Sequence, residues 1–188
     1  MTAILPAFVH ALLDQSQDCA QVPKVEPSAA VGWLAPLASR LVSVFNTGSR
    51  ADGSFLAHGY VHLPLVLPDG PAAYLRVSVD PGMEPWPVYT NSVVLTITGS
   101  LELEMYQEVA DSLAQQPCYA RTYGPQEVFA AHAGTLCATR STAGALHLVA
   151  MAPAATPGGS PLTPDEYTRA AHGAREILEG VTLSHCGR

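Results

Sequence analysis

Five residues in the central part of the chain have side chains that could bind a metal or transfer a proton. They are His58, His62, His132, Cys137 and His147. Imidazole and thiolate groups are metal ligands, and histidine also exchanges a proton near neutral pH. A single histidine is more often a surface or core side chain than a catalytic one. A functional site therefore depends on elements that bring several of these residues together.

The sequence around these residues is typical of short β-strands separated by turns. In LELEMY, apolar residues alternate with Glu102 and Glu104, which is the two-residue period of a half-buried strand. The preceding run SVVLTIT is joined to it by Gly99-Ser100, which predicts a hairpin. Because the inward side chains of a small barrel converge on its centre, such strands would place the histidines and Cys137 around one pocket. Further strands are predicted at 119–123, 126–131, 135–140 and 144–151.

Helical patterns flank this β-rich region. Apolar residues recur at helical spacing near the N-terminus, and Thr163-Pro164 with Glu166 forms the capping box that begins a C-terminal helix. Gly180 is predicted to end that helix. The predicted division is an N-terminal helical segment packed on the barrel (1–50), a β-barrel (51–155) and a C-terminal linker, helix and tail (156–188).

The composition is acidic and poor in charged residues. The 188 residues include 16 acidic and 9 basic ones, which argues against nucleic acid or an anionic membrane as a partner, because both need a basic surface. No apolar stretch approaches the ~18 residues of a membrane span, and the four cysteines lack metal-site spacing, so we expect a cytoplasmic protein. The charged fraction is 13%, about half the usual ~25%, which favours a homodimer that covers part of the surface.

Several segments follow the layout of a known family. Pro81-Gly82 precedes a strand, SVVLTITGSLELEMY follows it, and residues 123–129 lead into further strands and GTLCATRSTAGALHLVAMAP. Over about residues 1–155, this layout resembles the two-motif arrangement of the cupin superfamily. The helices before the barrel and the last segment are similar to its cysteine (thiol) dioxygenase branch. With the C-terminal helix, the resemblance implies a mainly β fold, a cupin-type double-stranded β-helix (jelly-roll) barrel with N-terminal helices.

At several positions that are functional in the family, this chain has a different residue. Thiol dioxygenases hold a non-haem iron with three histidines, two of them from the first motif. Counting from Pro81-Gly82 places these two at Val88 and Thr90, and counting from Gly99 places them at Trp86 and Val88. None of these side chains is a useful iron ligand, so we expect no metal cofactor.

The second motif of the family is altered as well. Its third ligand position falls on Cys137, and of the family's Ser-x-His-x-Tyr triad only His147 remains, with Ala145 and Val149 in the other two positions. Side chains from several strands could still rebuild a site for iron or another divalent metal. The ligands of such a site would be His62, His132, Cys137 and His147.

The barrel pocket is expected to persist without the metal and to bind a small molecule. Such pockets are mostly apolar, with a few polar groups that orient the ligand. In the family's pattern an arginine that would bind a substrate carboxylate falls near His62, and Arg76 is the other cation nearby. The predicted ligand pocket comprises His62, Tyr74, Arg76, Trp86, Val88, Tyr89, Thr90, Asn91, His132 and Cys137.

Three functions are consistent with this sequence. The first is a diverged cysteine-dioxygenase-like cupin that lacks the family iron site and binds a small molecule in the barrel. The alternative is an active thiol-dioxygenase-like oxidoreductase that uses the altered His/Cys site, with His147 as its catalytic residue. The third is a metal-independent isomerase or lyase with His62, His132 or His147 as general base. We favour the first, because both first-motif histidines and two triad residues are replaced.

Overall fold

The structure is a computed structural model in which most of the β-rich region and the C-terminal helix are described. The described residues are 38–43, 53–65, 72–80, 82, 84–107, 109, 113, 116–151 and 158–186. They form eleven strands and a long helix, α1 (Pro164–Cys186). The strands are β1 (Phe55–Ala57), β2 (Tyr60–Leu65), β3 (Ala72–Ser78), β4 (Trp86–Pro87), β5 (Ser92–Thr98), β6 (Leu101–Tyr106), β7 (Tyr119–Tyr123), β8 (Val128–Ala131), β9 (Leu136–Ser141), β10 (Leu146–Met151) and β11 (Ser160–Pro161).

The strands form two antiparallel sheets. One sheet has the order β11-β1-β2-β3-β10-β5-β8, and the other has the order β4-β9-β6-β7. From the centre outwards, β6 pairs with β7, β5 with β8, β4 with β9 and β3 with β10, and successive pairs alternate between the sheets. Nested pairing of this kind is the double-stranded β-helix, the jelly roll of cupins. The predicted mainly β jelly-roll fold is therefore confirmed.

The turn at Gly99 connects the two sheets rather than two strands of one hairpin. The strands on either side of it, β5 and β6, belong to different sheets, so the hairpin predicted at Gly99-Ser100 is wrong. A tight turn fixes a change of direction but not the partner of the next strand. Gly99 has a φ of 75°, and an added Cβ would lie 2.5 Å from Thr142 Oγ1 and 2.7 Å from Ala145 Cβ.

Alternation along the strands separates an outer core from the barrel interior. On β10, Leu148 points outwards and packs with Ala174 and Leu178 of α1. Residues 38–43 are helical, and Leu41 packs into the same outer cluster. The next residue along β10, Val149, belongs to the separate cluster between the sheets. The outer face of the larger sheet is thus covered, and its inner face is left to build a cavity.

The helix α1 begins as predicted but does not end as predicted. Thr163 Oγ1 accepts a hydrogen bond from the backbone N–H of Glu166 at 3.3 Å, and the Thr163 N–H donates to Glu166 Oε2 at 2.9 Å, which completes the capping box. Gly180 does not end the helix, which continues to Cys186, because tertiary packing overrides a single unfavourable glycine. The helices predicted before residue 38 lie outside the described residues. Within the described part of the chain, no helix has the length and apolar character needed to cross a membrane.

Candidate functional site

A cavity of about 110 Å³ lies within the barrel and is lined by residues of both sheets. An apolar cavity of about 150 Å³ accommodates benzene, so this smaller space suits a ligand of no more than about six non-hydrogen atoms. Arg76 is the only Lys or Arg in its described lining, which contains no Asp or Glu. The lining comprises Phe55, Ala57, His58, Tyr60, His62, Arg76, Trp86, Pro87, Val88, Tyr89, Thr90, Ser92, Val94, Phe129, Ala131, Cys137, Thr139, Val149, Met151 and Gly158.

Arg76 is a buried cation without a carboxylate partner in the described part of the chain. It lies on β3, is 6% exposed, and its guanidinium carbon stands 4.1 Å from the centre of the Tyr60 ring. The ring supplies a cation–π contact. The guanidinium Nε and Nη2 are buried and have no hydrogen-bond partner among the described residues. Burial lowers the pKa of Arg76, because a charge withdrawn from water without a counter-charge is destabilised.

Two histidines flank Arg76 on the neighbouring strands. His62 of β2 and His147 of β10 are both its direct partners in the strand register, so the three side chains lie in one row across the sheet. Burial and then the charge of Arg76 lower the pKa of His62 to about 3, and the same two causes lower that of His147 well below its usual range. Both imidazoles are therefore neutral near pH 7, and the Nδ1 atom of each is buried without a partner in the described structure.

His147 lies behind the cavity rather than in its wall. It is 0% exposed and is absent from the described lining. Its Nε2 is 3.0 Å from Ser141 Oγ, which is in turn 2.9 Å from the Tyr60 hydroxyl. This chain of hydrogen bonds holds the Tyr60 ring under the guanidinium of Arg76. His147 thus contacts the cavity through Tyr60, and its direct role in chemistry stays a prediction.

Aromatic side chains form another part of the cavity wall. The rings of His58 and Trp86 are stacked with centroids 4.5 Å apart at 16°. Tyr89 also lines the cavity and is 71% exposed, which marks the side open to solvent. On the other side Phe55 stacks on His62 at 4.4 Å. The cavity therefore has apolar, aromatic walls around the polar row of His62 and Arg76.

Seven of the ten predicted pocket residues line this cavity, and three do not. Tyr74 packs edge-on against Phe55 and His62, at ring centroid distances of 5.6 and 6.1 Å. Asn91 accepts a hydrogen bond from the Ala133 N–H through Oδ1 at 2.9 Å, and His132 lies outside the described lining. The predicted residues in the lining are His62, Arg76, Trp86, Val88, Tyr89, Thr90 and Cys137.

Sequence reasoning missed two residues that organise the site, Tyr60 and Ser141. Tyr60 lies two residues before His62 on the same strand, and therefore on the same face, so the two-residue period could have indicated it. Ser141 meets Tyr60 and His147 only through contacts between the two sheets, and no local pattern predicts such a contact.

The residues at the family's ligand positions do not fit an iron site. Trp86, Val88 and Thr90 all line the cavity but carry no imidazole. Cys137 lies opposite Trp86 in the strand register, and burial raises the pKa of its thiol to about 12, which disfavours the thiolate that binds metals. Among the described residues, no three His, Cys, Asp or Glu side chains come together as metal ligands. The rebuilt ligand set proposed from the sequence therefore does not assemble.

Comparisons with known proteins find likeness at the level of structure. No family model and no curated protein matches the sequence. KdgF from Halomonas sp. is 15% identical over 53% of this chain and 85% of that one, with a TM-score of 0.40. HEPD from Streptomyces albus, solved with 2-hydroxyethylphosphonate and Fe(II), is 18% identical over 63% of this chain and 25% of its own, with a TM-score of 0.40.

Oxalate decarboxylase from Lactobacillus farciminis, solved as a formate complex, is 11% identical over 57% of this chain and 31% of its own, with a TM-score of 0.42. Values this low carry no argument about function. The strand order alone identifies the jelly roll.

Proposed function

We propose that this chain is a diverged cupin-fold protein that binds a small organic anion, a carboxylate, in the barrel cavity. The observation that carries the proposal is Arg76, a buried guanidinium with unpartnered Nε and Nη2 in a cavity whose described lining has no carboxylate. A guanidinium offers two parallel N–H groups in the geometry that a carboxylate accepts. A bound carboxylate would supply both the missing counter-charge and the missing acceptors.

The rest of the cavity supports an anion with an apolar body. Val88, Val94 and Phe129 line it and belong to the apolar cluster between the sheets. Burial of an apolar group against such walls contributes about 25 cal/mol per Å² of surface removed from water. The single cation of the described lining matches a ligand of charge −1. We therefore expect a small monocarboxylate rather than a dicarboxylate or a neutral molecule.

The proposed binding needs no metal. The replaced ligand positions Trp86, Val88 and Thr90 support a protein that has diverged from the thiol-dioxygenase branch and no longer holds its iron. The alternative, an active oxidoreductase with an altered His/Cys site, has no assembled ligand group of three among the described residues to support it. Elemental analysis after expression with iron, zinc, manganese and nickel tests this part. Stoichiometric iron together with thiol-dependent O₂ consumption would overturn it.

The anion is tested with a matched pair of small molecules, propionate and propionamide, which differ in charge and little in shape. Binding is followed by NMR titration of the intact protein. We expect saturable shifts with propionate, much weaker ones with propionamide, and at least about a ten-fold loss of propionate affinity in Arg76→Met. Arg140→Met, which removes an exposed cation from the same barrel, is the control and keeps the affinity. Equal binding of the two molecules would disprove the proposal.

We also propose a cytoplasmic homodimer, supported by the low charged fraction of 13%. Light scattering after size exclusion measures the mass directly. A mass near 39.4 kDa, twice the 19.7 kDa of one chain, is expected. A mass of one chain at micromolar concentration would contradict the dimer and leave the cavity proposal unaffected.

A further inference from the structure

The polar row of the cavity contains a second unpartnered group beside Arg76. His62 lines the cavity, lies directly opposite Arg76 in the β2–β3 register, and has a buried Nδ1 that makes no well-formed hydrogen bond with the described residues, although a contact with the Tyr60 backbone opposes the lowering of its pKa. A buried polar atom left without a partner costs about 1–3 kcal/mol. A carboxylate that satisfies Arg76 alone would leave this cost in place. The ligand that fits the row therefore also offers a group to His62.

The protonation state of His62 limits what that group can be. Burial and the charge of Arg76 lower the pKa of His62 and keep its imidazole neutral, so Nδ1 is a donor in one tautomer and an acceptor in the other. A hydroxyl both donates and accepts, and it suits either tautomer. A carbonyl oxygen only accepts, and it suits one of them. Thr139, which also lines the cavity and has an unpartnered Oγ1 in the described structure, can pair with the same hydroxyl or with the carboxylate.

Charge excludes the other common substituents of small acids. An ammonium group would stand beside Arg76 in a cavity whose described lining has no Asp or Glu to compensate it. A second carboxylate would meet no second cation in that lining. Two like charges at about 4 Å repel by several kcal/mol at the effective dielectric of a protein surface. A neutral hydroxyl carries neither penalty.

From this arrangement we infer that the cavity selects a 2-hydroxy carboxylate, with the carboxylate on Arg76 and the hydroxyl on His62. The inference deepens the proposed function and depends on it, because it assigns a second contact to the same ligand. Arg76 and His62 are adjacent in the strand register, so one small ligand can contact both side chains, and a hydroxyl next to the carboxylate is the shortest such ligand. The cavity of about 110 Å³ suits an acid of about three carbons.

The test compares lactate with propionate, which lacks only the hydroxyl. In the intact protein we expect lactate to bind about ten-fold more tightly, the difference that a satisfied buried group supplies. His62→Phe keeps a ring against Phe55 but has no Nδ1, so the lactate-to-propionate affinity ratio should fall to about one. His172→Gln, an exposed histidine on α1, is the control and keeps the ratio.

The outcomes separate this inference from the proposed function. If propionate binds but lactate is no tighter, the hydroxyl contact is wrong and anion binding stands. If alanine or pyruvate binds more tightly than lactate, the selectivity for a hydroxyl is wrong. If none of the four acids binds, the carboxylate site itself is wrong. A ratio unchanged in a folded His62→Phe would assign the discrimination to another residue and overturn the role of His62.

Discussion

Arg76 and His147 are direct partners across strands β3 and β10, and both side chains are buried inside the barrel. His62 stands on the other side of Arg76 in the same row. A cation between two neutral imidazoles is an unfavourable arrangement for stability alone. The free-energy cost of this arrangement has an explanation if the three residues bind a ligand, because binding sites hold groups that the folded protein leaves unsatisfied.

Replacement of Arg76 should stabilise the protein in the absence of ligand. Arg76→Met keeps much of the side-chain volume and removes a buried, unpaired charge; even whole buried ion pairs can be replaced by apolar side chains with a neutral effect or a gain of about 1–4 kcal/mol. Urea unfolding of the two proteins in ligand-free buffer measures the difference. A loss of stability in Arg76→Met would indicate that Arg76 has a counter-charge in the folded protein.

Acid should destabilise the protein through its buried histidines. A histidine with a pKa of about 3 when folded and 6.5 when unfolded binds fewer protons in the folded state, so stability falls as the pH drops below 6.5. For His62 alone, the linkage corresponds to about 2 kcal/mol between pH 7.5 and pH 5. His62→Gln should lose about that much less stability over the same interval. Equal losses in the two proteins would show that His62 is protonated in the folded state.

Two variants of Tyr60 distinguish the contribution of its hydroxyl from the contribution of its ring. Tyr60→Phe removes the bond to Ser141 and should cost about 1–2 kcal/mol of folding stability while the ring stays under Arg76. Tyr60→Leu removes the ring as well, and it should also weaken propionate binding by about three-fold or more. Urea unfolding and NMR titration measure the two effects. Unchanged propionate affinity in Tyr60→Leu would mean that the ring does not position Arg76.

The turn between the sheets should not tolerate a side chain. Gly99→Ala places a Cβ at a positive φ and within 2.7 Å of Ala145 Cβ, so we expect a loss of about 2 kcal/mol or more. Gly180→Ala is the matched control, because Gly180 is helical and an added Cβ there would meet no atom within 4 Å. It should stabilise the protein by about 0.5–1 kcal/mol. A Gly99→Ala protein as stable as the parent would contradict the tight turn.

Cys137 should react slowly with thiol reagents. Its thiol is buried and its pKa is raised to about 12, whereas Cys118 is exposed. Iodoacetamide at pH 7.5 should therefore modify Cys118 well before Cys137, because the thiolate is the reactive form. Peptide mass mapping over time measures both rates. Faster modification of Cys137 would show that solvent reaches a thiolate inside the cavity.

The strands could be predicted from the sequence because alternation along a strand is a local property. The runs predicted at 119–123, 126–131, 135–140 and 144–151 correspond to β7, β8, β9 and β10 within two residues at each end. Sheet membership could not be predicted, as the turn at Gly99 illustrates, because it depends on contacts between residues far apart in sequence.

The candidate site, like the fold, could be predicted from the sequence only in part. The two-residue period of β2 and β3 places the side chains of His62 and Arg76 on the strand face that points towards the barrel interior. Tyr74 packs edge-on against Phe55 and His62, but it lies outside the described lining of the cavity. Which end of a strand reaches the cavity depends on how the two sheets close on each other, and no local pattern contains that information.

The nested pairing of the strands has a consequence for the order in which the site forms. On the outermost of the four nested pairs Leu75 meets Leu148, 73 residues further along the chain. Loop-closure entropy favours pairing from the short central loop outwards, so β3 and β10 join late in folding. Arg76 and His147 then enter the interior only at that late step. A ligand held by Arg76 should therefore prolong the lifetime of the folded chain and leave its rate of folding almost unchanged.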